Sequence, residues 1–255
     1  MDDSTVTSPA TAEPDQVGQR RRLIIIGALL LGMLLAALDQ TIVATALPTI
    51  AGDLHGLSHL SWVVTAYLLA STVSTPLWGK LGDLYGRKVF FEASIVIFLI
   101  GSALSGLSHT MLQLIAFRAV QGIGGGGLLT GAQTIVADVV PARERGRYQG
   151  LFGSVFGVTS VLGPLIGGFF VDNLSWRWVF YVNIPIGVVA LVVVAAVLPG
   201  HLRRAAHKID YLGTVFLAGA ATSLVLLTSL GGIDFPWSSA PILVMGAAAG
   251  MAPGR

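Results

Sequence analysis

Eight stretches of about twenty apolar residues, separated by short polar breaks, leave this chain few folds to choose from. They cover residues 23–50, 60–79, 89–107, 111–137, 148–171, 178–198, 211–231 and, more weakly, 240–252. Roughly 20 apolar residues in a helix cross about 30 Å of hydrocarbon. Lipid offers the backbone no hydrogen-bond partners, so each run must pair its own N–H and C=O groups as a helix; barrel strands would be shorter and would alternate. Composition agrees, with 54% hydrophobic and 11% charged residues. Soluble domains carry about 25% charged residues, so this chain has too little polar surface to stay in water. The expected class is an all-α polytopic membrane protein, which excludes a soluble enzyme, a disordered chain and a disulfide scaffold. The absence of Cys also removes thiolate zinc sites, iron–sulfur clusters and CxxC redox chemistry.

Positive charge is partitioned between the breaks. Arg20, Arg21 and Arg22 precede the first run, Lys80, Arg87 and Lys88 follow the second, and Arg143, Arg145 and Arg147 follow the fourth. Arg203, Arg204 and Lys208 follow the sixth and Arg255 the eighth, so thirteen of the fifteen basic residues fall on one side. The positive-inside rule makes that side the cytoplasm and puts both termini there. The remaining two are Arg177, in an outer loop, and Arg118, inside the fourth run. The net charge of +2 and pI near 9.2 are therefore topology signals and imply no nucleic-acid partner. Residues 1–22 read as a disordered cytoplasmic tail, 23–198 as six spans, 199–210 as a cytoplasmic loop and 211–255 as two further spans, the last cut short. The start of the first run looks like a signal peptide, but it is too long, lacks an A-x-A site and continues through Asp39 and Pro48, so it is a retained span.

Ionisable groups inside hydrocarbon are costly and usually mark function. Asp39 lies about 24 Å up the first helix and Arg118 about 10 Å below the outer end of the fourth, at 1.5 Å per residue. These depths nearly coincide, so the two can pair or share water in one cavity. A carboxylate there can exchange a proton, its affinity lowered by a nearby cation and raised by burial. The plainer alternative is a structural ion pair. Between the second and third runs, Asp83 precedes Arg87 by one turn among Gly79, Gly82 and Gly86, and Asp138 at the end of the fourth run can join that cluster. In isolation this stretch reads as a solvated, topology-setting loop. The fifth run carries Gly153, Gly157, Gly163, Pro164, Gly167 and Gly168, a spacing for close helix contact with a proline bend.

These residues assemble into recognisable motifs. Gly79, Asp83, Gly86, Arg87 and Lys88, in G-x-L-x-D-x-x-G-R-K, resemble motif A of the major facilitator superfamily. Leu114-x-x-x-Arg118-x-x-Gln121-Gly122-x-Gly124 resembles motif B, and Gly163-Pro164-x-x-Gly167-Gly168 resembles motif C, the antiporter signature. Leu38-Asp39-Gln40-Thr41-Ile42-Val43 with Ala46-Leu47-Pro48 is similar to the helix-one motif of drug:proton antiporters. The short break between the sixth and seventh runs, Ile209-Asp210-Tyr211-Leu212-Gly213 after it, and Trp176-Arg177-Trp178 with Phe180, Asn183 and Pro185 before it resemble the fourteen-span branch. The resemblance implies the N-terminal six-helix bundle of that fold plus two additional transmembrane helices. It implies export of hydrophobic or cationic drugs and antibiotics in exchange for protons across the cytoplasmic membrane, driven by the proton gradient without a cofactor. Asp39 and Arg118 would serve proton coupling, Asp83, Arg87 and Asp138 gating, and Pro164 the antiport bend. Leu84, Gly125, Gly126, Thr159 and Ala44 depart from the usual pattern.

Other patterns carry less. Gly122, Gly124 and Gly127 match the dinucleotide fingerprint G-x-G-x-x-G but lie within a span, where glycines pack helices. His55 and His59 have ligand-like spacing without a third ligand and read as loop histidines, as do His201 and His207, so no metal site is expected. Asn173-Leu174-Ser175 fits a glycosylation acceptor, and Glu92 is placed in the first turn of the third helix. No protease motif is present, and an enzyme is not expected. Two alternatives to the exporter remain: a metabolite or lipid transporter of the same superfamily, and a non-transporting fragment or half-transporter that needs a partner chain. The last arises because facilitator folds set two six-helix halves against each other, whereas 255 residues hold one half and two linker helices.

Overall fold

The computed structural model describes residues 19–198, 211–232 and 235–250. Nine α-helices and one short 3-10 turn are present among them: α1 Gln19–Asp53, α2 Leu60–Tyr85, α3 Arg87–Gly106, α4 Met111–Val139, α5 Arg145–Asn173, α6 Trp178–Tyr181, α7 Asn183–Val197, α8 Tyr211–Leu230 and α9 Ala240–Gly250. The first five apolar runs each became one helix. The sixth is divided at Val182 into α6 and α7. Pro185 explains the break, because it has no N–H for the carbonyl of Tyr181, four residues earlier, and its ring crowds that oxygen.

Several expected boundaries move. α1 begins at Gln19, inside the stretch expected to be a tail, while residues 1–18 lie outside the described part. The loop expected around Gly79–Lys88 is a single residue: α2 continues to Tyr85 and α3 starts at Arg87, with Gly86 between them at φ 113°. That backbone conformation suits glycine. Glu92 stands in the second turn of α3, not the first, 3.8 Å from Lys88. The loop 199–210, with His201, His207, Arg203, Arg204 and Lys208, and Arg255 lie outside the described residues.

Among the described residues, five stretches are long and apolar enough to cross a membrane: Arg22–Asp53, Leu57–Tyr85, Arg87–Gly106, Arg145–Asn173 and Trp178–Val197. α4 has the length, at 29 residues, but Arg118, Gln121 and its glycines dilute its apolar character. It can afford them because it packs between α2 and α3 and faces the bundle rather than lipid. α8 packs on α2 and on α9. α9 spans 11 residues, about 16 Å at 1.5 Å per residue, half the expected thickness. The outside of the bundle is apolar, with Val89, Val96, Ile100, Leu112, Val161, Leu165 and Val192 all exposed, as a lipid-facing surface requires. The chain is an all-α polytopic membrane protein.

The two ends differ in chemistry. At one end Arg22 of α1 meets Glu144 at 3.4 Å, and Lys88 of α3 donates to the Ala195 carbonyl of α7 at 2.6 Å. At the other, Trp176 Nε1 donates to Asp53 at 2.8 Å. There Arg177 donates to the carbonyls of Gly106 and Ser108, both at 2.7 Å, capping the end of α3. Two apolar clusters fill the bundle between them. The first includes Ile25, Leu29, Met33, Phe91, Phe98, Leu128 and Ile135. The second, nearer Asp53, includes Ile42, Ile50, Val63, Leu114, Val179 and Phe180. At their seam lies a polar layer.

Candidate functional site

Asp39 of α1 is that layer's centre. It is 0% exposed and Arg118 of α4 is 1% exposed. Arg118 Nη1 donates to Asp39 Oδ2 at 2.6 Å and to Gln121 Oε1 at 2.8 Å. Gln121, one turn further along α4, returns a hydrogen bond from Nε2 to Asp39 Oδ1 at 2.8 Å. A third donor reaches the carboxylate from α7, where Asn183 Nδ2 lies 3.0 Å from the same Oδ1. Asn183 Nδ2 also donates to Ser102 Oγ of α3 at 3.0 Å, and Ser102 donates to the Phe180 carbonyl of α6 at 2.8 Å. Tyr67 of α2 completes the ring of helices, its ring face 4.2 Å from the Arg118 guanidinium carbon. A cation over an aromatic face is stabilised by the ring quadrupole, more so when both are desolvated.

Glycines make this convergence possible. A Cβ on Gly101 of α3 would come within 2.5 Å of the Gln121 Cα. One on Gly122 would strike the Tyr67 carbonyl and one on Gly125 the Tyr67 hydroxyl. Gly124 and Gly127 touch α3 at Phe98 and Ser94. The G-x-G-x-x-G spacing therefore serves helix packing within α4.

Satisfaction in the layer is incomplete. Arg118 Nε, Asn183 Oδ1 and the Tyr67 hydroxyl are buried without a hydrogen-bond partner. Such groups are uncommon in native interiors and cost stability. A carboxylate held by a guanidinium and two amides can change protonation only if these donors rearrange, since a protonated oxygen becomes a donor itself.

The residues of motif C lie against the same part of α1. A Cβ on Gly163 would overlap Thr41, and one on Gly167 would come within 3.0 Å of the Ile42 carbonyl and 3.2 Å of Thr45 Cβ. Thr41, Ile42 and Thr45 follow Asp39 within two turns, so α5 touches α1 directly beside the acid. Pro164 lies inside α5. A Cβ on Gly153, Gly157 or Gly168 would meet nothing from another helix within 4 Å, so the close contact expected along all of α5 is confined to Gly163 and Gly167.

The motif A residues form a separate cluster at the end that carries Arg22. Arg87 Nη2 is 2.8 Å from Asp83 in the last turn of α2, and Arg87 Nε is 2.6 Å from Asp138 at the end of α4. This is a three-helix ion-pair network and not the solvated loop that the stretch suggests in isolation. A Cβ on Gly79 would meet only Thr130, at an ordinary 3.8 Å. At the opposite end, His59 Nδ1 lies 3.0 Å from Ser58 Oγ, and Asn173 Nδ2 bonds the Phe169 carbonyl at 3.0 Å.

Sequence reasoning missed Tyr67, Ser102 and Gly101, and it valued Asn183 only as part of a resemblance. Asn183 had a readable signal, as an amide in a strongly apolar run. Tyr67, Ser102 and Gly101 resemble the other tyrosines, serines and glycines of their helices, and only packing distinguishes them.

Residues 29–211 match the sequence model of the Major Facilitator Superfamily. An MFS-type transporter of Mycobacterium tuberculosis (strain ATCC 25618 / H37Rv) is 49% identical over 230 residues, which are 89% of this chain and 34% of that protein. Multidrug resistance protein 3 of Bacillus subtilis (strain 168) is 46% identical over 222 residues, 87% of this chain and 43% of that protein. The chain thus spans less than half the length of these curated relatives. Among solved structures, the human organic anion transporter MFSD10 superposes with a TM-score of 0.67 at 19% identity, over 91% of this chain and 60% of that one.

Proposed function

Because this chain belongs to the Major Facilitator Superfamily, a family of transporters and not of enzymes, we propose that its buried polar layer couples proton movement to the export of hydrophobic or cationic drugs. The observation that carries this reading is Asp39, fully buried yet held by three donors from α4 and α7, with three atoms of the same layer unpartnered. A purely structural pair gains nothing from unsatisfied neighbours, whereas a site that must rearrange tolerates them. Arg118 keeps the site's positive charge fixed, and Asp39 carries the proton. The contact of Gly163 and Gly167 on α1 links a bend at Pro164 to the acid, which supports exchange of proton for substrate. The Asp83–Arg87–Asp138 network then acts at the other end as a latch between α2, α3 and α4. Multidrug and efflux names among the relatives support the substrate class.

In this reading the driving force is the proton gradient, no cofactor takes part, and the partners are protons, a small hydrophobic or cationic substrate, the lipid bilayer and a second six-helix half. That half is further chain or a separate subunit, since alternating access needs two bundles to rock about the site. The basic end faces the cytoplasm, in the cytoplasmic membrane.

The test uses cells that express residues 1–255 together with the remaining portion of Multidrug resistance protein 3. Ethidium efflux is expected to require both pieces, to collapse with a protonophore, and to be lost in Asp39→Asn. Gradient-dependent efflux that survives Asp39→Asn would remove Asp39 from the coupling step.

A further inference from the structure

Asn183 is joined to Asp39 on one side and to Ser102 on the other, and it differs from the Gln121 amide, whose oxygen and nitrogen are both engaged, in keeping an amide oxygen in reserve. Its Nδ2 donates to Asp39 Oδ1 and to Ser102 Oγ, both at 3.0 Å. Its Oδ1 is buried with no partner. Ser102, having accepted from Asn183, spends its own hydrogen on the Phe180 carbonyl at 2.8 Å. Phe180 belongs to α6, a four-residue helix that is cut from α7 at Val182. That serine therefore pins α6 to α3.

We propose that Asn183 is a positioning residue that senses the protonation of Asp39, and that its amide turns over to release α6 from Ser102. The inference rests on the reading of Asp39 as the proton carrier. The charged and titratable groups facing Asp39 are Arg118 from α4 and Tyr67 from α2. α3, α6 and α7 approach through Ser102, Phe180 and Asn183, and α5 meets this stretch of α1 through Gly163 and Gly167. Oδ2 faces the guanidinium, so a proton from water settles on Oδ1, where only neutral amides lie.

Once protonated, Oδ1 carries an O–H that must donate and one lone pair that still accepts. Gln121 keeps its place, because Arg118 holds its Oε1 and its Nε2 can use the remaining lone pair. Asn183 cannot keep its place, because its N–H would face the new O–H. Rotating the amide half a turn presents Oδ1 to the Asp39 hydroxyl and to Ser102 Oγ. Ser102 then redirects its hydrogen from the Phe180 carbonyl to Asn183 Oδ1, and Nδ2 moves to the position Oδ1 left. One proton is added to one carboxylate, no other group changes charge, and the net effect is the loss of the α3–α6 hydrogen bond. In this way α6 reads the protonation state of an acid it does not touch.

Hydrogen–deuterium exchange of the membrane-reconstituted 255-residue chain tests this, with Asp39→Asn as the permanently neutral, donating stand-in for the protonated acid. Amides of residues 178–183 are expected to exchange about threefold or more faster in Asp39→Asn than in the wild type, while residues 128–136 of α4 hold their rate. Ser102→Ala is expected to give the same acceleration by itself, and the double variant no more than either single one, as steps on one path do. Unchanged exchange of residues 178–183 in Asp39→Asn, or additive effects in the double variant, would overturn the relay. So would faster exchange spread equally over α4, which reports general loosening. The wild type measured at acid pH, corrected for intrinsic exchange, separates the two ideas. If Asp39→Asn accelerates α6 but acid does not, the relay stands and Asp39 is not the proton carrier.

Discussion

Arg118 serves two acceptors through one nitrogen and stacks on Tyr67 with its face, so its shape matters as much as its charge. Removing it by Arg118→Ala leaves a buried carboxylate with only amides to hold it. Breaking such a pair from one side is expected to cost about 3–5 kcal/mol. Arg118→Ala with Asp39→Asn in the same chain is expected to be closer to wild type than Arg118→Ala alone, since no buried charge is stranded. Thermal unfolding of the detergent-solubilised variants compares the two. The pairing itself was legible, because a rise of 1.5 Å per residue set both groups at one depth before any contact was known. What was not legible is the company they keep. Ser102 and Tyr67 are ordinary helix residues until α3 and α2 close on α4, and Gly101 gains its meaning only from the Gln121 backbone it touches. Gly101→Ala is expected to destabilise the fold by about 1–3 kcal/mol, the usual cost of forcing a methyl group into a packed core, as read from the same unfolding curves.

At the scale of elements, α5 shows how one motif divides into packing and bending. A Cβ on Gly163 would overlap Thr41, while one on Gly168, five residues on, would meet nothing within 4 Å. Gly163→Ala is therefore expected to push α1 and α5 apart and lower the unfolding temperature. Gly168→Ala is expected to be neutral or slightly stabilising, because alanine outranks glycine by about 1 kcal/mol in a helix interior. The spacing of glycines alone does not distinguish them; which side of α5 faces α1 does. The break at Val182 was hidden for a related reason. Pro48 and Pro76 sit within continuous helices, and so a proline in an apolar run is a weak sign of interruption. At Pro185 the carbonyl it cannot serve belongs to Tyr181, the last residue of α6. The first five helices were the most legible elements, each one apolar run, since lipid leaves the backbone no other choice.

For the whole molecule, three of the basic residues that alternation of runs assigns to one side, Arg22, Arg87 and Lys88, lie at one end. Arg22, Arg87 and Lys88 are bonded there to Glu144, to Asp83 and Asp138, and to the Ala195 carbonyl. That end is expected to face the cytoplasm. The chain has no Cys, so single cysteines report cleanly. In intact cells a membrane-impermeant maleimide is expected to label Leu57→Cys, exposed at the end of Asp53, and to label Tyr85→Cys, exposed at the basic end, only after permeabilisation. The reverse pattern would invert the assigned orientation. Between these ends, proton-coupled transport requires that Asp39 take up and give back a proton rather than serve Arg118 permanently as a counter-ion. Infrared difference spectra of the reconstituted chain between acid and neutral pH read that claim directly, through the carbonyl stretch of a protonated carboxyl in an apolar site. The expected result is a band that appears on acidification, vanishes in Asp39→Asn and survives in Asp53→Asn. Spectra in which the wild type and Asp39→Asn are the same would contradict the claim and leave Asp39 and Arg118 as a structural pair.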